Sequence, residues 1–282
     1  MLVPLAGGGK ETLLSEVGFV LLPLFTTRDA CALRLVCREF LAAVSEHPWE
    51  DRRTVIKGSI AAWRACFPHA SCANVCKWDV DDKAERRAAP VMDADFVHFE
   101  GLRELYVAFC QDVTDAAFVH LRGIHTLDMT LCFQQAITDA AFAHLAGIQR
   151  LSIRYCSQAT TTNAAFAHLR GIQLLNMSHC TQLTDAAFAH LRGIHTLYMW
   201  CCWQPSITDA AFVHMRGIHT LVMEECSQAT ITGASISSLR GISILVMNRC
   251  SAVAISTAQS LGSLVLHAGW GAHGTLTYSL RG

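Results

Sequence analysis

One motif of nineteen residues returns along most of this 282-residue chain. It reads TDAAFVHLRGIHTLDMTLC from Thr114 to Cys132, TDAAFAHLAGIQRLSIRYC from Thr138 to Cys156 and TNAAFAHLRGIQLLNMSHC from Thr162 to Cys180. It comes back as TDAAFAHLRGIHTLYMWCC (Thr184 to Cys202), TDAAFVHMRGIHTLVMEEC (Thr208 to Cys226) and the looser TGASISSLRGISILVMNRC (Thr232 to Cys250). A variant, DADFVHFEGLRELYVAFC, opens the series at Asp93 and closes on Cys110. The closing cysteines, Cys110, Cys132, Cys156, Cys180, Cys202, Cys226 and Cys250, lie 22, 24, 24, 22, 24 and 24 residues apart. Periods of this size mark repeat architectures, in which no unit can bury its apolar side alone and each must stack on the next.

Each unit reads as a short helix followed by a strand. Thr114 and Asp115 are residues whose side-chain oxygens satisfy the free N–H groups of a first helical turn. Ala117, Phe118 and Leu121 recur at helical spacing and form one apolar face. Gly123 stands where a helix ends in the left-handed conformation. Ile124, Leu127 and Met129 then bracket a short strand of alternating exposure, and Cys132 closes it.

The resulting pattern, L-x-x-L-x-L-x-x-C after a short helix, resembles the cysteine-containing class of leucine-rich repeats over residues 91–256. That resemblance implies an α/β solenoid with a parallel sheet on the concave side and helices on the convex side. Strands spaced ~4.8 Å apart and helices spaced ~8–10 Å apart would bend the stack into an arc. Strand alternation sends the residues between and after the Leu and Met anchors to the concave surface. There the repeats differ most, which makes Tyr106, Asp128, Arg154, Asn176, Tyr198, Trp200, Glu224 and Asn248 the candidate substrate-binding residues. Such a mixture of aromatic and charged side chains suits protein recognition. Trp200, flanked by Tyr198 and Trp203, is the leading anchor.

Thirteen cysteines in a long chain without a secretion-like start do not read as a disulfide framework. A column of strand-end thiols is expected to be buried and to donate weakly to backbone carbonyls rather than to hold metal. His98, His120, His144, His168, His190 and His214 occupy one helical slot two residues after the buried Phe, and are expected at a solvated flank. Cys66, His69, Cys72 and Cys76 are crowded more tightly than paired zinc ligands usually are. No metal or cofactor is expected.

Before the repeats the chain changes character. In the segment from Leu13 to Asp51, Thr26 and Asp29 form a candidate capping box. Ala30, Leu33, Cys37, Phe40, Leu41 and Val44 follow at intervals of three and four, which predicts amphipathic helices. This segment resembles an F-box, the helical motif that docks on the Skp adaptor of cullin-based ubiquitin ligases. The resemblance rests on Leu13-Leu14-Ser15-Glu16 in place of Leu-Pro-x-Glu, on Leu21 and Leu22, on Phe25 and Asp29, and on the L-x-x-V-C-x-x-F stretch from Leu33 to Phe40. Trp49 takes the place of the closing tryptophan. It implies adaptor contacts from Leu13, Leu14, Leu21, Leu22, Phe25, Leu33, Leu35, Val36, Cys37, Phe40 and Trp49.

The expected organisation is therefore a small all-α F-box domain (11–51), a helical linker or cap (52–92), a solenoid of about seven units (93–256) and a terminal cap or frayed tail (257–282). Leu264, Val265 and Leu266 are candidates for a last strand, and Asp79 to Arg87 for a solvated turn. The F-box and repeats together imply a substrate receptor of an SCF-type ligase that binds a Skp-type adaptor and cullin on one side and an unidentified protein substrate on the other. The alternative is a free-standing leucine-rich-repeat binding or inhibitor module capped by the N-terminal helices. An enzyme is disfavoured, since no phosphate-cradling glycine loop, G-x-S-x-G or metal-ligand helix is present, and no catalytic residue is assigned. With 22 Lys+Arg against 23 Asp+Glu there is no global basic field for nucleic acid. Apolar runs are too short to cross a bilayer, and the N-terminus has no signal-peptide pattern. The expectation is an intracellular chain, cytoplasmic or nuclear, monomeric outside its complex.

Overall fold

The computed structural model describes residues 21–76, 90–234, 236–239, 241–251 and 254. The chain divides into two units, one ending at Asn74 and the other beginning at Val75. Leu13, Leu14, the run from Asp79 to Arg87 and residues 257–282 lie outside the described residues.

In the first unit a 3-10 turn, Leu22–Leu24, precedes α1 (Thr27–Leu33), α2 (Arg38–Glu46), α3 (Ile60–Cys66) and a short strand, β1 (Cys72–Asn74). The capping box at the start of α1 is formed. The Thr26 hydroxyl accepts from the Asp29 N–H at 3.3 Å, and the Thr26 N–H donates to the Asp29 carboxylate at 3.0 Å. Asp51 ties α1 to the chain that follows α2, accepting from the Thr27 N–H at 2.7 Å and its hydroxyl at 2.9 Å. The core gathers Leu22, Ala30, Val44, Trp49, Phe67 and Ala70, with Leu33, Ala43, Trp63 and Cys66 packed against it. Trp49 meets Phe67 edge-on at 5.6 Å, and its indole N–H donates to the Val44 carbonyl at 2.8 Å.

The three-and-four periodicity extends across a turn at residues 34–36, which resets its phase. Ala30 and Val44 reach the core as expected, whereas Cys37 becomes the N-cap of α2 and is exposed, as is Leu41.

In the second unit each repeat is compressed further than its sequence suggests. Between the capping threonine and the glycine there is room for only about two turns. They form a 3-10 segment at Asp115–Leu121 and Asn163–Leu169, and an α-turn at Asp139–Phe142, Asp185–Phe188 and Asp209–Phe212, continued as 3-10 at Ala143–Leu145 and Val213–Met215. The tighter winding aligns residues three apart, so Phe118 and Leu121 face the core together. Gly123 then turns the chain at a φ of 82°, where a Cβ would be strained.

The strands are β2 (Glu104–Tyr106), β3 (Thr126–Asp128), β4 (Arg150–Ser152), β5 (Leu174–Asn176), β6 (Thr196–Tyr198), β7 (Thr220–Val222) and β8 (Ile244–Val246). They pair in parallel and in register, placing Leu105, Leu127, Leu151, Leu175, Leu197, Leu221 and Leu245 in one buried column. The ladder continues past the strands, where the Val107 N–H donates to the Asp128 carbonyl and the Phe109 N–H to the Thr130 carbonyl, both at 2.8 Å.

Two side-chain ladders cross every joint. The cysteine thiols donate to a carbonyl of the preceding repeat, Cys132 to Val107 at 3.3 Å, Cys156 to Met129 at 3.2 Å and Cys180 to Ile153 at 3.0 Å. Burial pushes the Cys156 and Cys202 thiols up to about 12 and the Cys180 thiol well above its ordinary value, so they are inert. At the cap, the Thr hydroxyl accepts from the N–H of its own first turn, as at Ala116 (3.2 Å), while the preceding repeat's Asp grips the same Thr. Asp93 accepts from the Thr114 N–H at 2.7 Å and from its hydroxyl at 2.6 Å, and Asp115 does the same for Thr138. The Asp of each T-D pair thus serves the next repeat, a role the cap pattern alone does not reveal. At one joint Asn163 replaces the carboxylate, accepting from the Thr184 N–H at 3.0 Å and donating to its hydroxyl at 2.8 Å.

Candidate functional site

Several polar residues of the open strand face bond to a neighbour. Tyr106 lies beside Glu104, with 3.3 Å between its hydroxyl and the Glu104 carboxylate. Asp128 accepts from the Thr130 hydroxyl at 2.6 Å, and that hydroxyl reaches Ser152 at 2.9 Å. Asn176 accepts from the Ser178 N–H at 3.1 Å, and Asn248 donates to Glu224 at 3.4 Å. Tyr106, Asp128, Arg154, Asn176, Tyr198, Glu224 and Asn248 are all half-buried, while Trp200 is 36% exposed.

Beyond the strands the backbone takes a conformation that side chains usually avoid. Phe109, Leu131, Tyr155, His179, Cys201, Glu225 and Arg249 all have φ between 53° and 63°. A left-handed non-glycine residue costs about 1–2 kcal/mol, and here it is held from both sides. The N–H of Leu131 is committed to the Arg154 carbonyl at 2.8 Å, and the next residue, Cys132, is anchored by its thiol. The outcome is a rim along the end of the strands built from side chains of seven different kinds.

The rim and the strand face meet around Arg154. Its guanidinium lies 4.9 Å from the Tyr155 ring and 5.5 Å from that of Trp200. Tyr155 stacks on His179 at 4.0 Å, and His179 contacts Trp200 at 5.8 Å. Burial and the nearby Arg154 lower the His179 pKa, keeping the ring neutral at pH 7. Further along, the Cys201 thiol donates to Glu225 at 3.3 Å, and Arg249 pairs with Glu225 at 2.8 Å. The Cys201 thiol and the Arg249 pairing lower the Glu225 pKa, whereas burial raises that of Glu224.

Of the residues expected on this face, the structure brings Arg154 together with Trp200 and Glu224 with Asn248. Tyr106 bonds to Glu104 and Asp128 to Thr130. Tyr155, His179, Cys201, Glu225 and Arg249 were not expected at the site. A signal for them exists, since the residue before the repeat cysteine differs in all seven repeats, as does the residue preceding it.

The first unit carries an apolar surface of a different kind. Leu35 is 88% and Val36 65% exposed on the turn between α1 and α2, with Leu21, Leu24, Phe25 and Leu41 also exposed. Leu33 and Phe40 are half-buried and Cys37 is exposed. Leu22 and Trp49, expected as adaptor contacts, are instead 4% and 1% exposed. Both pack in the core of their own unit.

Among the described residues no group of three or more His, Cys, Asp or Glu is placed to hold a metal ion, and no helix is long and apolar enough to cross a membrane. No family model matches the chain, and no curated protein matches it. Among solved structures it is similar to internalin C2 from Listeria monocytogenes, at 17% identity and a TM-score of 0.51 over 72% of this chain and 83% of that one. It is also similar to TLR13 in its complex with ssRNA13, at 15% identity and a TM-score of 0.52 over 68% of this chain. The fold is a leucine-rich-repeat solenoid. The similarity spans only 26% of the TLR13 chain, and at these identities it is a likeness of fold.

Proposed function

We propose that this chain is a non-enzymatic substrate-recognition subunit of an SCF-type ubiquitin ligase. Residues 13–51 hold a Skp-type adaptor, and through it the cullin assembly, while the strand face and rim of the repeats hold a protein substrate. The observation that carries the reading is the exposure of Leu35 and Val36 inside the L-x-x-V-C-x-x-F stretch. Two adjacent aliphatic side chains left in water on a turn are costly unless a partner covers them. In this role the chain contributes proximity, holding a substrate lysine near a conjugating enzyme carried by other subunits. The setting is the cytoplasm or nucleus.

Capture of purified Skp-type adaptor by the full chain tests the proposal. Leu35→Glu with Val36→Glu is expected to cut capture at least tenfold, since desolvating two charges in an apolar contact opposes binding, without changing the circular dichroism of the chain. Undiminished capture would remove the tether from the proposal. The free-standing binding module draws on one observation, that Leu22 and Trp49 serve the core of their own unit. That module predicts no adaptor capture by the unaltered chain.

A further inference from the structure

The geometry points to an acidic peptide segment as the occupant of the repeat face, one of whose Asp or Glu carboxylates seats on Arg154 between the Tyr155 and Trp200 rings. This deepens the substrate-receptor reading and rests on it for its biological setting. Arg154 is the one arginine of the rim region whose charge is clamped by aromatics and not by an acid. Among the described residues it makes no ion pair, whereas Arg249 is neutralised by Glu225 at 2.8 Å. Its Nε atom is buried without a hydrogen-bond partner, as is Nε2 of His179 beside it. A guanidinium held flat by ring faces keeps its in-plane donors in a fixed fork, the arrangement that receives a carboxylate through two hydrogen bonds.

The reach from Arg154 to Trp200 is itself built in. The two residues stand on repeats two apart, with Ser178 between them, and adjacent strands lie ~4.8 Å apart. Ser178 is small and buried, and its hydroxyl accepts from the Trp200 N–H at 3.1 Å. A larger side chain at that slot would separate the guanidinium from the indole.

A second comparison within the chain sets the charge pattern. Cys110, Cys180 and Cys250 are spaced by 70, and loops such as CFQQAITDAAF and CWQPSITDAAF recur at the same distance. Three repeats therefore form a block that is present twice. Arg154 and Tyr155 in the first block correspond to Glu224 and Glu225 in the second. The frame is retained while the charge at these two slots changes sign, so Arg154 and Glu224 stand three strands apart on the same face. A carboxylate is drawn to Arg154 and repelled from Glu224, since Glu225 is paired with Arg249. A doubly charged phosphate meets only one unpaired guanidinium there, so a single carboxylate fits the site better than a phosphopeptide or a nucleic-acid backbone.

The test is to pan a phage-displayed library of random twelve-residue peptides against the immobilised full chain. The enriched peptides are expected to share one fixed Asp or Glu. A synthetic peptide of that consensus should lose at least tenfold in affinity on Trp200→Ala or Arg154→Gln. Arg154→Lys, which keeps the charge without the flat fork, should weaken binding and retain the acidic preference. Panning on Arg154→Glu should replace the fixed acid by Lys or Arg, with the circular dichroism unchanged. No enrichment, a consensus without an acid, or the same consensus on Arg154→Glu each overturns the inference. So does a chain that enriches no peptide but binds an oligouridylate through Arg154. Adaptor capture, measured on the same preparations, is expected to be equal for wild type and Arg154→Glu. Its failure in the wild type removes the ligase setting and leaves the peptide result standing.

Discussion

At the level of single residues, the buried cysteines and the rim side chains divide stability from recognition. Cys180 is fully buried, with its thiol 3.0 Å from the Ile153 carbonyl. Cys180→Ala is expected to lower stability by about 1–3 kcal/mol, as loss of a buried polar contact does, measured by urea unfolding. Zinc present stoichiometrically and lost on that change would sink the structural role of the column. His179 makes a pH prediction. Its folded pKa lies below the ordinary 6.5, so below that pH the unfolded chain binds the proton more readily. Its contribution is present at pH 7 and above, and stability falls as the pH drops through 6.5. Urea midpoints at pH 7.5, 6.5 and 5.5 should decline less for His179→Gln than for the unaltered protein; parallel declines would exclude the effect. His179 could not be placed from sequence, because nothing in its type announces a left-handed backbone. Gly123 could, because glycine is the residue that adopts such a φ freely.

At the level of elements, the strands and their order were legible from the Leu and Met spacing, because burial on one face dictates that pattern. The length and winding of the turns were not. Ala117, Phe118 and Leu121 satisfy a 3.6-residue period and a three-residue period equally well over so short a span. In the first unit a period that looked continuous hid a break, and the exposed side chains of Leu35 and Val36 occupy that break. Its energetic counterpart is Asp51, whose pKa is lowered. Burial alone would raise it, but four hydrogen bonds from Thr27, Arg53 and Thr54 outweigh that. Among the repeats the joints are carried by the Asp–Thr rungs. Asp185 accepts from Thr208 at 2.8 Å and 2.6 Å, so Asp185→Ala is expected to cost about 1–3 kcal/mol in thermal or urea unfolding. Asn163→Asp, restoring a carboxylate at the exceptional rung, should stabilise by up to about 1 kcal/mol. A loss of stability there would mean that the reversed bond to Thr184 is preferred.

At the level of the whole molecule, the candidate site was half legible. The face residues followed from alternation, but the rim did not, and the rim is where Tyr155 and His179 complete the setting of Arg154. In the first unit Leu35 and Val36 are exposed while Leu22 and Trp49 are buried, a division that the sequence pattern does not reveal. Because every rung joins a Thr to the Asp or Asn one repeat earlier, the joints are interchangeable. Excising Asn163 through Thr184 would bring Thr162 directly before Asp185, recreating a cap and leaving the Asp139 rung to Thr162 and the Asp185 rung to Thr208 intact. The shortened chain is expected to fold, with a denaturant slope reduced in proportion to the surface removed. Failure to unfold cooperatively would contradict nearest-neighbour stacking. A protein assembled from such fungible links can gain or shed one without inventing a new core, and what changes is which side chains then stand two places from Arg154. Reach and specificity would shift in the same event.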